Sequence, residues 1–168
     1  SGIYITATGW TVEPTAGGEL HAVGSDAAVG SEAVLLTAAG STVRLTSATG
    51  GSRSGRVAAC IYSYSTAGAQ MEVGTATGGS APWAYALQCG TYGTMIVGTA
   101  IGGSATAAHC IYTNSSAANV TIGVAKGGSH ANAGCVYPGA GGNIDILSID
   151  LTGVGPIIGG ADIRFGPG

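Results

Sequence analysis

Four cysteines, three histidines and eight carboxylates are the residues through which this chain could do chemistry. Cys60, Cys89, Cys110 and Cys135 stand 29, 21 and 25 residues apart, so no CxxC doublet exists to seed a zinc site. In an antiparallel meander successive cysteine strands would lie two places apart, about 9.6 Å, beyond the roughly 7 Å that a disulfide spans. In a parallel coil they would lie one spacing apart, where a bond is sterically conceivable. The expectation is four unpaired, buried thiols acting as small hydrophobes, which suits assembly in a reducing compartment. Of His21, His109 and His130, His109 directly precedes Cys110, and strand alternation sends the two side chains to opposite faces. His130 follows a Gly-Gly-Ser turn, an ordinary surface position. A Ser/His/Asp set lacks a G-x-S-x-G elbow, and Asp145, Asp150 and Asp162 crowd the C-terminal fifth. Asp145 and Asp150 are five apart, an odd separation that in one continuous strand points them to opposite faces and spoils a glycosidase pair. The Gly-Gly-Ser turns lack the Lys-Ser/Thr and the helix of a phosphate loop. The expectation is a chain that is not an enzyme, with no catalytic residues, no metal site and no cofactor.

The elements that would position any site follow from composition. Of 168 residues 32 are Gly, without a third-residue period, and at roughly 1 kcal/mol per helical position so much glycine disfavours helix. Hydrophobic residues make up 45% of the chain and mean hydropathy is +0.39, too apolar for disorder. Only 8% of residues are charged and the net charge is −3, with Arg44, Arg53, Arg56, Lys126 and Arg164 scattered. Nucleic acid is not an expected partner. Nor is a membrane, since no apolar run approaches the roughly 18 residues of a spanning helix and no aromatic girdles bracket the strands of a barrel. The chain opens at Ser1 without a basic and then apolar leader, so either a signal has been removed or there was none. Weak charge repulsion also favours association.

Internal similarity organises the chain. Met71-Glu72-Val73-Gly74-Thr75-Ala76-Thr77-Gly78-Gly79-Ser80 returns from Met95 and again from Val120, with weaker copies from Val43 and Ile144, in steps of 24 to 28 residues. Each unit reads as strand, Gly-Gly-Ser turn, cysteine-bearing strand and a looser turn. Expected strands are 43–47, 57–63, 70–76, 83–89, 94–100, 107–112, 119–125, 132–137 and 143–151. Cys60/Tyr62, Cys110/Tyr112 and Cys135/Tyr137 should each share a face. Short strands at Ile3–Thr6, Trp10–Val12, Glu19–Val23 and Ala33–Thr37 precede the repeats. The expectation is one all-β domain over 1–168, with irregular strands in 1–42, hairpin repeats in 43–151 and a Gly/Pro-rich arm in 152–168. Two architectures accommodate it: an antiparallel meander, sandwich or barrel whose Gly-Gly-Ser loops supply positive φ, or a β-solenoid with each unit one coil. Variable spacing within units and the irregular start favour the antiparallel form.

Aromatic residues are the binding candidates. Trp83 and Tyr85, with Tyr92 in the next loop, can stack on sugar rings or anchor an interface, although Trp83, Tyr85, Leu87 and Cys89 would also alternate onto a core face. Ile163 and Phe165 are the contact residues of the C-terminal arm, which either docks on a neighbour or lies loose. Asn114 and Asn119 begin glycosylation triplets of a kind common by chance in Ser/Thr-rich chains.

Few charges, abundant Gly/Ala/Ser/Thr and repeated short strands together give a chain that resembles accessory structural proteins of tailed-phage virions, namely head-decoration (cement) proteins and fibre or spike modules. The resemblance lies in composition over the whole chain and carries over no residue. It implies a virion location, a homo-oligomer, commonly a trimer, and a partner in a major structural protein of the same particle. The alternative is an extracellular carbohydrate-binding module or adhesin using Trp83, Tyr85 and nearby Asn and Ser. An ice-binding solenoid would need a flat threonine array, which Ile101 and Val124 interrupt.

Overall fold

The five copies of the apolar alternation that begins at Val43 form five long strands, because apolar residues at every second position suit a half-buried pleated surface. The computed structural model runs β1 (Ile3–Ile5), β2 (Thr11–Val12), β3 (His21–Val23), β4 (Val34–Leu36), β5 (Thr42–Thr49), β6 (Val57–Ile61), β7 (Ala69–Thr77), β8 (Tyr85–Cys89), β9 (Gly93–Ile101), β10 (Ile111–Thr113), β11 (Asn119–Lys126), β12 (Val136–Pro138), β13 (Asn143–Asp150) and β14 (Ile163–Phe165). It describes residues 3–24, 33–55, 57–61, 68–139, 142–158 and 163–165, without the side chains of 60 and 163–165. Among the described residues there is no helix. Tyr62 and residue 63, the end of one expected strand, lie outside them.

Among the described residues every strand pair is parallel, and the expected antiparallel hairpins do not form. The chain is a β-solenoid. Strands β1, β4, β6, β8, β10 and β12 build a six-stranded sheet in that order, and β2, β5, β7, β9, β11, β13 and β14 build an eight-stranded sheet to which β3 adds beside β5. The physical reason lies in the Gly-Gly-Ser corners. A two-residue hairpin turn needs left-handed backbone, yet none of Gly78, Gly79, Gly102, Gly103, Gly127 and Gly128 adopts it. The chain therefore turns a corner instead of reversing, and a parallel strand follows.

These glycines serve close approach. A Cβ on Gly103 would lie 2.2 Å from the Gly79 carbonyl oxygen and 2.6 Å from that of Ala108, and one on Gly78 would lie 2.5 Å from the Gly103 nitrogen. Corner stacks on corner through backbone alone, stitched by Ser80 N–H to Gly51 O (3.2 Å), Ser104 N–H to Gly79 O (3.0 Å) and Ser129 N–H to Gly103 O (3.1 Å). Within each corner a short loop closes where Gly79 donates to Ala84 O (2.8 Å) and Gly103 to Ala108 O (2.6 Å). That loop consumes residues expected in strands, leaving β10 and β12 with three residues each.

Between the sheets the side chains stack by register. Val43, Met71, Met95, Val120 and Ile144 form one buried column, Leu45, Val73, Val97, Ile122 and Ile146 a second, and Ala48, Ala76, Ala100 and Ala125 a third beside the glycine corner. The six-stranded sheet answers with Val34, Ala59, Leu87, Ile111 and Val136. Each fully buried Val, Leu, Ile or Met contributes about 1.5–3 kcal/mol of transfer free energy.

Alternation breaks once in each of the longer strands and just before β10 and β12, and the breaks decide what faces outward. Ala86 and Leu87 N–H both donate to Cys110 O, at 3.0 and 2.9 Å, and both side chains enter the core. Cys110 with Ile111, and Cys135 with Val136, repeat this doubled step. The expectation that Cys110/Tyr112 and Cys135/Tyr137 share faces is corrected accordingly: the thiols are in the core and the tyrosines are outside. Trp83, Tyr85, Leu87 and Cys89 likewise do not share one face, since Leu87 and Cys89 are in the core and Tyr85 packs outside with Val57, Leu35 and Tyr112. Gly74, Gly98 and Gly123 mark a second break in the eight-stranded sheet, where a Cβ on Gly98 would lie 2.6 Å from Gly74 O.

If space and not φ makes the corner glycines necessary, Gly103→Ala should destabilise the chain by about 3 kcal/mol, the upper range for forced overpacking. Gly55→Ala, at φ +72° with nothing within 4 Å of the new Cβ, should cost only about 1–2 kcal/mol through backbone strain. Urea unfolding of both variants checks the order, which reverses if the corners are loose.

Candidate interaction surfaces

The outward phase of the six-stranded sheet brings together aromatic residues from three coils. Tyr85 and His109 occupy equivalent places before the doubled step, while Gln88, Tyr112 and Tyr137 pair in register after it. The rings stack nearly parallel: Tyr85 on Tyr112 at 5.1 Å, Tyr112 on Tyr137 at 5.8 Å, His109 on Tyr137 at 5.0 Å and Tyr85 on His109 at 6.2 Å between centroids. Offset aromatic pairs of this kind are worth about 0.5–1.5 kcal/mol beyond their buried area. Gly134 fills the next place in the His109 column, where a Cβ would come 2.9 Å from His109 Nδ1.

Electrostatics within the stack are quiet. The Gly134 N–H donates to His109 Nδ1 at 2.9 Å, which places the proton of the neutral ring on Nε2, and burial holds the imidazole pKa below its ordinary value. Burial, with smaller contributions from Tyr112 and Tyr137, pushes the Tyr85 phenol up to about 12. Because the rings cover one another's faces, the cluster is a packed ladder and not an open platform. Tyr85 is 9% exposed, whereas Trp83 is 47% exposed and meets Tyr137 edge-on at 76°. Trp83 is thus the ring here with an open face. It holds φ +59° at the turn position that Gly55 (+72°) and Ala107 (+54°) occupy in adjacent coils.

The other reactive groups are disposed of by packing. Cys89, Cys110 and Cys135 are free and buried as expected, and the Cys60 side chain lies outside the described residues. Burial pushes Cys89 and Cys135 up to about 12 and raises Cys110, so all three stay thiols, and Cys135 Sγ donates to Ala100 O at 3.3 Å. His109 and Cys110 do face opposite ways. His130 is half-buried and pairs with Thr106 at 3.3 Å. Among the described residues no three His, Cys, Asp or Glu side chains converge on a metal-sized site.

On the outer face of the eight-stranded sheet the charges pair along columns, between neighbouring coils. Arg44 bridges Glu13 and Glu72, with Nε 2.9 Å from Glu72 Oε2, and Lys126 Nζ lies 3.3 Å from Asp150 Oδ2. The expected opposition of Asp145 and Asp150 is corrected: the break at residue 147 returns both to the outer face, with core-facing Ile146 and Ile149 between them. At about 3.3 Å per residue they are roughly 16 Å apart, too far for paired carboxylate catalysis.

Further apolar groups collect at the two ends of the coil stack. At the β1/β2 end Tyr4, Trp10 and Val23 are 55%, 61% and 61% exposed. At the other end, where β14 lies outside β13 along Ile144–Ile146, Leu147, Leu151 and Val154 are 58%, 83% and 70% exposed. The described part of the C-terminal arm runs on its own chain: Ile157 and Ile158 pack against the core and Ile163–Phe165 pairs with Ile144–Ile146. Tyr92 is 41% exposed at the opposite corner from Trp83. Sequence reasoning named Trp83, Tyr85 and Tyr92 but missed His109, Tyr112 and Tyr137. The signal was the doubled apolar step Ala86-Leu87, Cys110-Ile111, Cys135-Val136, which resets the alternation before each outer ring.

Fold and surfaces together define a two-sheet parallel β-solenoid with a ring ladder on one face and apolar ends. Comparison with protein-family models, with curated proteins and with solved structures finds no match for this chain.

The neutral His109 gives a pH test. Its folded pKa lies below the unfolded value near 6.5, so the unfolded chain takes up the proton first and stability falls as pH drops below about 6.5. Thermal unfolding from pH 7.5 to 5 should show a decline in Tm that His109→Gln lessens. An unchanged profile would mean that His109 titrates freely.

Proposed function

We propose that this chain is a non-enzymatic structural module of an extended assembly, a fibre, spike or capsid-decoration element of a virion, working through protein contacts. The observation that carries the reading is the pair of apolar ends. In a solenoid each coil is stabilised by its neighbours, so the first and last coils are the places where a polar cap is ordinarily needed. Here Trp10 and Val23 at one end, and Leu147, Leu151 and Val154 at the other, are open apolar groups. A contact between unlike ends is heterologous and extends a structure along its axis, as a fibre requires. A closed trimer, the form implied by the resemblance to virion proteins, would use a lateral contact instead. Low charge fits either, because like-charge repulsion between copies is small at a net charge of −3.

The carbohydrate-binding alternative on Trp83 and Tyr85 is less favoured, since Tyr85 is buried in the ring ladder. Light scattering after size exclusion, at several micromolar concentrations, tests the assembly reading. Mass should exceed that of one chain and rise with concentration for end contacts, or hold at three chains for a closed trimer. Leu151→Asp with Val154→Asp should reduce an end-on series to monomers while changing monomer stability by no more than about 0.5 kcal/mol each, as for other surface substitutions. A monomer whose Tm is indifferent to concentration would sink the proposal.

A further inference from the structure

The corner that leads from the six-stranded sheet back to the eight-stranded one holds a concavity of about 320 Å³, within the range of small-ligand sites. Its walls include Ser41, Thr42, Gln70, Thr94, Asn119 and Tyr92. Thr42, Gln70, Thr94, Asn119 and Asn143 are in register, so a row of neutral hydrogen-bonding side chains runs along the solenoid axis at about 4.8 Å per coil.

Several of these groups are held in place. Gln70 Nε2 donates to Glu72 Oε1 at 2.7 Å, which leaves the amide oxygen as the acceptor Gln70 offers, and Glu72 is itself tied to Arg44. Asn143 Nδ2 donates to Asn119 Oδ1 at 3.0 Å, and Asn119 Nδ2 to Ala117 O at 3.4 Å, fixing the Asn119 amide. Ser41 Oγ donates to Ala7 O and accepts from Trp10 N–H. The Thr42 and Thr94 hydroxyls each add a donor and an acceptor.

Tyr92 is the anomaly in this wall. Gly40 and Gly68 hold φ +64° and +67° two residues before Thr42 and Gln70, and Tyr92 holds φ +54° two residues before Thr94. A left-handed conformation costs a side-chain-bearing residue roughly 1–2 kcal/mol. Burial does not offset that cost, because the ring is 41% exposed. An aromatic ring is kept open at the mouth of a neutral, hydrogen-bonding pocket where the two preceding coils have glycine.

We propose that this pocket binds a neutral saccharide, a linear glycan lying along the axis with one ring stacked on Tyr92. Sugar rings present an apolar C–H face for the aromatic ring and hydroxyls for the Thr, Gln and Asn row. Among the described residues the lining contains no cation for a phosphate, sulfate or uronate, and no second apolar wall for a hydrophobic peptide. The repeat of similar groups on each coil favours a chain over a single sugar. The site is independent of the end contacts proposed above.

The full chain, fluorescently labelled, would be applied to an array of neutral and acidic glycans beside Tyr92→Gly, Trp83→Ala and the double variant Gln70→Ala with Thr94→Val. Binding to at least one neutral glycan is expected. Tyr92→Gly should lose at least tenfold in signal while keeping or raising Tm, since glycine relieves the strained turn, and Trp83→Ala should bind as the parent does. If Tyr92→Gly does not fold, the double variant carries the same tenfold expectation. Binding to no neutral glycan, binding to acidic glycans alone, or undiminished binding by the folded pocket variants would overturn the proposal.

Discussion

Backbone lying directly on backbone at the Gly-Gly-Ser corner is the contact on which the rest of this structure depends. With Gly79, Gly103 and Gly128 separated by less than a side chain's thickness, the corner holds neighbouring coils in one register, which both sheets share. It also sets the shape of the core. Where the sheets converge toward the corner only small side chains fit, hence the column Ala48, Ala76, Ala100 and Ala125 facing Ala58, Ala86, Cys110 and Cys135. Farther from the corner the buried side chains are larger, among them Met71, Met95 and Leu87. Two of the cysteines thus stand where a residue slightly larger than alanine fills the narrow side of a wedge, and their raised pKa follows from that position.

A second consequence is that this surface is organised in columns. Parallel, in-register coils place like on like, so rings meet rings on one face and hydroxyls and amides line up on the other. Such stacking suits side chains that attract their own kind, as Tyr112 and Tyr137 do, and penalises repeated charge. The Arg44 and Glu72 pair shows the permitted arrangement, opposite signs on neighbouring coils. The scarcity of charge in the sequence therefore has a physical source in the architecture, since each added ionic column must alternate in sign or break.

Much of this was legible in the residues. The five long strands fall within a residue or two of where the Val43, Met71, Met95, Val120 and Ile144 alternation puts them. Strand direction was not, because a 24-residue unit with two strands describes a hairpin and a coil equally well. What separates them is whether the corner reverses, and glycine permits reversal by φ as readily as it permits close contact by lacking a Cβ. Variable spacing was also misleading. The longer step from Val43 to Met71 takes its extra residues between two registered pairs, Ile61 with Cys89 and Ala69 with Gly93, and leaves both sheets in step. The outer ring ladder escaped because alternation was carried through Ala86-Leu87 without the break that the doubled apolar step records.

Repetition makes the departures from it readable. In the turn columns of Trp83 and Tyr92, Gly55, Gly40 and Gly68 hold left-handed φ, and the columns leave that conformation only one coil beyond Ala107 and Tyr92, at Asn132 and Ala117. Ala107 holds it with the smallest side chain. Trp83 and Tyr92 hold it with two of the largest, bear the strain, and leave their rings in solvent. Folding alone gives no reason for either choice, since glycine at both positions would relax the turn and a buried ring would at least gain transfer free energy. Strain that the fold does not need is held where it does something else, and a surface contact is what an exposed ring held in a fixed turn provides.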